Sequence, residues 1–513
     1  MQTGYLGIDA GTQGLSVVFT NESMQVLATG DGSYEMLAGL PEGCYEQNPA
    51  DWLAALSQAM NDLRTKLAGD IQILAIGISG QMHGEVLSDA TGNPVGPVRL
   101  WCDGRNADEE SELTEQFNVK MPKRMTAVRW LWTTRNQKEK AALAKNLTTP
   151  AGWLAFQLTG QWNLGIGDAA GMFPVDQQTL DFDQDLLKKF QDIAGTDFLS
   201  LTQLLPNVRT AGQDAGQLSE SGSQHLGLPP GIPVAAAEGD QPAALAGSLI
   251  GDAGMVSCSF GTSVCANSVG DRSFQGVDKA VDHFCAVDGK PINMVWLRNG
   301  TTFMNAIVEM FGAALGEDRS AGFDAVIPQV IAASADCGGV LALPFMDDEP
   351  GLNVQRGGTA MLVGLNPENS TPGNAVKAAL LSTMFNLRRG SEVLDRQGFP
   401  RTELVLSGGL TKSPELAQIL ADVFRTPVTL LSSAAEGTAW GAALLAKFRH
   451  QKIAGDSKEW GTFLDQHRSE SRPLTPNPQA ADTYDQVYAR YLRLLQSHPH
   501  FDEALADGHP AQL

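Results

Sequence analysis

Short apolar runs alternate with longer amphipathic ones along the chain. The first run, Tyr5-Leu6-Gly7-Ile8, ends in Asp9; a Gly11-Thr12-Gln13-Gly14 turn follows, then a second run, Leu15-Ser16-Val17-Val18-Phe19. Trp52, Leu56, Met60, Leu63 and Leu67 then recur at helical spacing. Asn48 suits the N-cap, Pro49 the first helical position, and Gly69 closes the run. Residues 71–79, rich in β-branched side chains, predict a strand. This alternation predicts an α/β fold with a sheet covered by helices. Residues 120–135, carrying Trp130 and Trp132, read as helix and connector. After Pro229-Pro230-Gly231, residues 232–237 predict an apolar strand and residues 243–249 a helix.

The second half repeats the style. Residues 255–265 are again strand, Gly261-Thr262 turn and strand. Residues 403–406 predict a strand, Gly408-Gly409 a turn, and Ser413-Pro414 the cap of a helix running to Phe424. Residues 428–431 predict another strand, and Glu436-Gly437-Thr438 open a helix through Phe448. The tail, 482–496, is amphipathic, with Tyr484, Val487, Tyr488, Tyr491 and Leu495 on one face that reads as packing. A chain of 513 residues is long for one core, so two domains are expected, 1–249 and 250–513.

Composition narrows the classes. Hydrophobic content of 43% is globular, and a formal charge of −22 lacks the basic footprint of a nucleic-acid binder. Six cysteines, with no CxxC pair, predict reduced thiols in a cytoplasmic protein without a zinc site. No apolar leader and no membrane-length apolar run is expected.

A glycine-containing turn between strands can offer backbone N–H groups to a phosphate, and Asp9 stands where a carboxylate would hold a divalent ion against it. An ordinary hairpin is the alternative for that stretch alone, but its echo at 255–265 points to two related domains facing one nucleotide. Neither a Walker-type P-loop, a dinucleotide fingerprint nor a nucleophile elbow occurs. Ser79-Gly80-Gln81-Met82-His83-Gly84 follows a strand directly, where polar residues meet ligands. Trp101, Asp103 and Arg105 offer an aromatic surface, a carboxylate and a guanidinium, either as a sugar subsite or as a salt-bridged loop. Asp240 ends an apolar strand, where it could accept a proton from a hydroxyl, cap a helix, or do both.

Taken in order, these blocks resemble the FGGY family of carbohydrate kinases, within the actin-like ATPase superfamily. They are Gly7 to Thr12, Ser79 to Gly84 with Trp101 to Arg105, Gly239-Asp240, Ser259 to Ser263, and Ser407-Gly408-Gly409 with Glu436 to Ala442. Gln81-Met82-His83-Gly84 and His283-Phe284-Cys285 look most like the branch that phosphorylates xylulose. The resemblance implies duplicated ribonuclease-H-like domains flanking a cleft, with sugar mainly on the first and ATP mainly on the second. It makes Asp240 the catalytic base and Asp9 the metal-associated carboxylate, for Mg²⁺. It places sugar at Met82, His83, Trp101, Asp103, Arg105, Asp240 and Gln241. It places ATP at Thr12, Gln13, Gly261, Thr262, Ser263, Gly408, Gly409 and Ser413. A homodimer is compatible with it; membrane and nucleic-acid partners are not expected. Three positions depart from the family: Ser16 where many relatives carry Lys or Arg, Gln241 where Asn is usual, and residues 343–350, which lack a Gly-Glu-Arg-x-Pro form. The expected activity is ATP-dependent phosphorylation of a terminal hydroxyl on a ketopentose such as xylulose. The alternatives are a sedoheptulose- or gluconate-type kinase, or a catalytically weak sugar sensor or scaffold.

Overall fold

The computed structural model describes residues 2–67, 69–314, 316, 319–431, 437–468 and 473–505. Its first sheet comprises β1 (Gln2–Ala10), β2 (Gly14–Asn21), β3 (Val26–Ser33), β4 (Ile71–Gly80) and β5 (Glu238–Gly239), in the order β5-β4-β1-β2-β3. β1, β2 and β3 form an antiparallel meander; β4 runs parallel to β1, and β5 parallel to β4. Helix α1 (Pro49–Lys66) covers β2 and β3. It starts as the sequence predicts, with the Asn48 side chain accepting from the N–H of Ala50 and Pro49 in the first turn. Trp52, Leu56, Met60 and Leu63 lie fully inside the first core.

The run 232–237 departs from its prediction. Ile76 donates to the Pro233 carbonyl (2.9 Å) and Ala235 to the Ile76 carbonyl (2.8 Å), so the run lies beside β4. Pro233 has no N–H to give, and a regular ladder resumes only at β5. Two helices bound this region, α2 (Ile166–Met172) and α3 (Asp240–Gly247). α3 begins at Asp240 rather than residue 243, because proline at position 242 is tolerated in a first turn.

The second sheet comprises β6 (Met255–Phe260), β7 (Val264–Val269), β8 (Val281–Cys285), β9 (Pro291–Leu297), β10 (Glu403–Gly408) and β11 (Val428–Leu430), ordered β8-β9-β7-β6-β10-β11. β9, β7 and β6 are antiparallel neighbours, and β10 and β11 add in parallel. The first sheet's pattern is thus repeated, with β8 as an extra outer strand: two ribonuclease-H-like cores. α4 (Pro372–Arg396) packs on the second core. It is followed by α5 (Pro414–Phe424), α6 (Gly437–Ile453) and α7 (Pro478–Gln496). Tyr484, Val487, Tyr488 and Tyr491 of α7 enter the second core, as the periodicity predicts. Glu436, expected to open α6, lies outside the described residues. All six cysteines are free, and no described helix is long and apolar enough to cross a membrane.

Although it comes from the second half, α6 lies on β1 and β4 of the first sheet and crosses α3. Gly7 and Gly77 are register partners on those strands. A Cβ at Gly7 would stand 1.9 Å from the Ala439 carbonyl oxygen, and one at Gly77 1.8 Å from that of Ala442. A Cβ at Gly441 would stand 2.0 Å from the Ala243 carbonyl oxygen. The helix backbone therefore rests on the sheet backbone, and no rotamer change can relieve an added methyl group. Gly77→Ala is expected to cost about 1–3 kcal/mol or more, as overpacking does, lowering Tm by roughly 2–4 °C per kcal/mol. A thermal melt identical to wild type would show that α6 does not lie this close.

Candidate active site

β1, β4 and β5 run parallel, so their carboxyl ends lie side by side, and each ends in a polar group. Asp9, at the end of β1, pairs in register with Ser79 of β4. The Ser79 hydroxyl donates to Asp9 Oδ1 (2.7 Å), and the Thr438 hydroxyl, in the first turn of α6, donates to Asp9 Oδ2. Burial raises the Asp9 pKa, and those two hydroxyl bonds oppose the rise. The N-terminal end of α6 adds a favourable dipole for a negative group. Ser16, the register partner of Asp9 on β2, donates to Asp31 (2.8 Å). Two hydroxyls and a helix end thus face Asp9, and Ser16 is turned away to Asp31.

Asp240 opens α3 directly after β5. Burial, then the negative charge of Asp9, push its pKa up to about 7, and backbone N–H groups of Gln241 and Met82 pull the other way. Met82 is buried against Gly239, where a Cβ would meet its side chain at 2.3 Å. His83 has φ +67°, which turns the chain sharply after β4. Its Nδ1 lies 2.8 Å from the Gly171 carbonyl, which can only accept, so Nδ1 carries the proton and Nε2 is an acceptor. Burial and the charges of Arg124 and Arg129 push its pKa down to about 3, so His83 is neutral at physiological pH.

Two arginines near His83 are already engaged. Arg129 donates to the carbonyls of His83 (3.2 Å), Trp101 (2.7 Å) and Asp103 (3.2 Å). Arg124 pairs with Asp282 of β8, which also pairs with Lys120 (2.7 Å). Trp101 is 45% exposed, and its indole N–H donates to the Thr12 hydroxyl (3.1 Å). Asp103 is fully buried, with the Arg105 guanidinium on its carboxylate (2.6–3.0 Å) and the Tyr45 N–H at 3.0 Å. Burial would raise the Asp103 pKa, but the Arg105 hydrogen bonds overcome it and hold the group below its ordinary range. Arg105 also pairs with Glu46. Asp103 and Arg105 therefore stiffen the loop behind Trp101 rather than presenting free charges. Gln241 is exposed in the first turn of α3.

The two strand-turn-strand hairpins share one geometry. In the first, the carbonyls of Gly11, Thr12 and Gly14 accept from Tyr34 and Gln47 side chains. In the second, the Gly261 carbonyl accepts from the Thr301 N–H (2.8 Å) and hydroxyl (2.9 Å). The Thr262 carbonyl accepts from the Gly300 N–H (2.9 Å) and the Thr302 hydroxyl (3.2 Å). Among the described residues, no protein acceptor takes the N–H of Gly11, Thr12, Gln13, Thr262 or Ser263. Gly408 ends β10 beside Phe260, with φ +85°. Gly409 follows it, and Ser413 caps α5 through the Leu416 N–H (3.4 Å). The block 343–350 holds Asn299: Glu349 accepts its backbone N–H (3.0 Å) and its amide (3.1 Å), steadying the approach to Gly300.

Several contributors escaped the sequence reading. Thr438 carried a signal, its place in a Gly-Thr-Ala-Trp-Gly-Ala block. Tyr34, Gln47, Thr301 and Thr302 carried none. Nor did the buried acids behind Gly239: Glu238 accepts the Asp168 N–H (2.9 Å), and Asp168 accepts from Thr149 (2.6 Å). Burial, then the Asp240 charge, push Asp168 up to about 8. No group of three or more metal-binding side chains occurs among the described residues. Mg²⁺ bound with nucleotide needs only one or two carboxylates beside phosphates, which the Asp9–Asp240 pair fits.

Known proteins share this fold and domain order. The N-terminal domain of the FGGY family of carbohydrate kinases matches residues 4–247, and the C-terminal domain residues 256–449. The xylulose kinase of Escherichia coli is 28% identical over 513 residues, covering 96% of this chain and 98% of that protein. That of Haemophilus influenzae is 26% identical over 508 residues, covering 95% and 98%. The crystal structure of xylulose kinase from Rhodospirillum rubrum has the same fold, with a TM-score of 0.81 at 21% identity over 97% of this chain and 99% of that one. With both domains matched in order around paired strand-end carboxylates, the chain belongs to the FGGY family of carbohydrate kinases.

Proposed function

We propose that this chain transfers the terminal phosphoryl group of ATP to a terminal hydroxyl of a ketopentose, with xylulose as the substrate. The observation that carries this reading is the Asp9–Asp240 carboxylate pair at the strand ends, beside a turn whose N–H groups are free. The curated relatives named above, matched over nearly their whole length, support xylulose. In this reading sugar sits on residues 1–249 and ATP mainly on 250–513, and the enzyme works in the cytoplasm, where ATP is made and used.

Asp240 accepts the proton of the sugar hydroxyl while that oxygen attacks the terminal phosphorus. The bond from phosphorus to the bridging oxygen breaks, and ADP leaves. The N–H groups of both hairpins face the negative charge spread over the phosphoryl oxygens. Asp9 would hold Mg²⁺, which supplies charge neutralisation on the ATP phosphates. His83 Nε2 accepts from a sugar hydroxyl, Met82 forms an apolar wall, and Trp101 stands between the sugar side and Thr12. A sugar acid would need a free cation. Arg129 is spent on three carbonyls and Arg124 on Asp282, which favours a neutral ketose.

Asp240→Asn should fold like wild type and bind sugar, yet lose about 10²–10⁴-fold in kcat, the range for a lost general base. More than a tenth of wild-type kcat would remove Asp240 from that role. The same assignment fixes a pH profile. The base works only when deprotonated, so kcat/KM should rise with pH through about 7 and level off above it. A rate independent of pH between 6 and 8 would contradict it. Across a panel of ketoses, polyols and sugar acids, a ketopentose should give the highest kcat/KM. Preference for gluconate would defeat the xylulose reading while leaving a kinase. Gln241→Asn should shift preference toward D-xylulose only a few-fold, because the exposed Gln241 side chain has no buried hydrogen bond to lose.

A further inference from the structure

We propose that Tyr34 and Gln47 are positioning residues for phosphoryl transfer: from behind the first hairpin they hold its carbonyls, so that the N–H groups of Thr12 and Gln13 face the transferred phosphate. The inference rests on the kinase reading and extends it to residues that touch neither sugar nor nucleotide.

The geometry follows from the peptide plane. In a trans peptide the C=O of one residue and the N–H of the next point in opposite directions. Fixing the Gly11 carbonyl therefore aims the Thr12 N–H, and fixing the Thr12 carbonyl aims the Gln13 N–H. The Tyr34 hydroxyl lies within hydrogen-bond distance of the Gly11 and Gly14 carbonyls, and Gln47 Nε2 donates to the Thr12 carbonyl at 2.7 Å. Neither Thr12 N–H nor Gln13 N–H has a protein acceptor among the described residues.

The Gln47 side chain has one orientation. It is 1% exposed, and its Oε1 accepts from the Trp52 indole (3.1 Å) and from Gln81 Nε2 (2.8 Å). The indole can only donate, so the amide oxygen must face it and the NH₂ must face Thr12. Trp52 is itself locked in the core of the first half. Gln81 immediately precedes Met82 and His83, so one buried amide joins the sugar-side loop to the phosphate turn. Burial and the nearby Asp9 charge raise the Tyr34 pKa, which keeps its phenol protonated and donating.

The second hairpin shows the same relation independently. The Gly261 and Thr262 carbonyls are held from behind, and the following N–H groups, those of Thr262 and Ser263, are the free ones. There the donors are partly backbone. In the first hairpin they are side chains alone, so single substitutions can remove them.

Without these donors the turn's peptides could rotate, and N–H groups that are not already aimed must be ordered at each turnover. The test is Tyr34→Phe, assayed as sugar-dependent ADP release, with sugar affinity measured separately by calorimetry. Loss of the hydroxyl should lower kcat roughly 10–100-fold and raise the KM for ATP, while sugar affinity stays within about 2-fold. Gln47→Met should show the same split, with a lower Tm because Trp52 and Gln81 lose their acceptor; Tyr34→Phe spares that network and decides the matter. Wild-type kcat and ATP KM in Tyr34→Phe would overturn the inference, as would an equal loss in sugar affinity. Wild-type protein that releases no ADP with any sugar would overturn the kinase reading and this inference together.

Discussion

Everything at the site depends on a helix that touches a sheet backbone to backbone. α6 rests on Gly7 and Gly77, which face it side by side on β1 and β4. Any side chain there would lift the helix by more than an ångström. Lifting it would carry Thr438 away from Asp9, a contact that joins residues 429 apart in sequence. The crossing with α3 at Gly441 has the same character and fixes α6 relative to the helix that Asp240 opens. Missing side chains in the interior thus set the distance between the polar groups at its edge.

The electrostatics of the site follow from that packing. Glu238, Asp168, Asp240 and Asp9 form a file of acids in which Asp9 raises the proton affinity of Asp240, Asp240 that of Asp168, and Asp168 that of Glu238. Burial disfavours charge on all of them, and they escape it differently. Glu238 is held well above its ordinary range, although it receives backbone N–H groups at the start of α2. Asp168, pushed up to about 8, is also mainly protonated at neutral pH. Two hydroxyl donors oppose the effect of burial on Asp9, and Asp240 lies near its titration point at neutral pH. An acidic chain of formal charge −22 can therefore present a phosphate site without a basic patch. The unbonded N–H groups of the hairpin turns offer positive dipole ends there, and Asp168, behind Gly239, is mainly protonated.

The α/β class, the repeated strand-turn-strand and the main helices were legible because each has a local cause. α1 has its cap, its proline and its apolar spacing in one stretch of sequence, and α5 has Ser413-Pro414. The positions of Asp9 and Asp240 beside strand ends were legible because each closes a short apolar run. Most of what was not legible depends on contact between segments distant in sequence. Gly7 read as part of a phosphate block, whereas its service is to seat α6. Asp103 and Arg105 left open a sugar subsite or an ion-paired loop; the structure shows their charges paired, with Arg105 also on Glu46. Residues 232–237 look like a strand by composition, yet Pro233 denies the ladder a donor. Tyr34 and Gln47 sit in stretches with no motif, and only the folded chain brings them behind the turn.

The duplicated halves meet one requirement by different means. Each hairpin must turn consecutive N–H groups outward, and each does so by anchoring the carbonyls that precede them. In the second half a neighbouring segment passes so close that a Cβ at Gly300 would stand 2.4 Å from the Gly261 carbonyl oxygen. Only glycine permits that approach, and it brings the donors of Gly300 and Thr301 with it. In the first half two side chains reach in instead, Tyr34 from β3's end and Gln47 from the approach to α1. Backbone donors come with the fold itself, whereas a phenol and an amide depend on two single positions in the sequence. The first hairpin directly follows β1, which carries Asp9. In the kinase reading proposed above, the more substitutable of the two clamps is therefore the one nearer the two carboxylates, and a single substitution there can loosen the turn without touching either sheet.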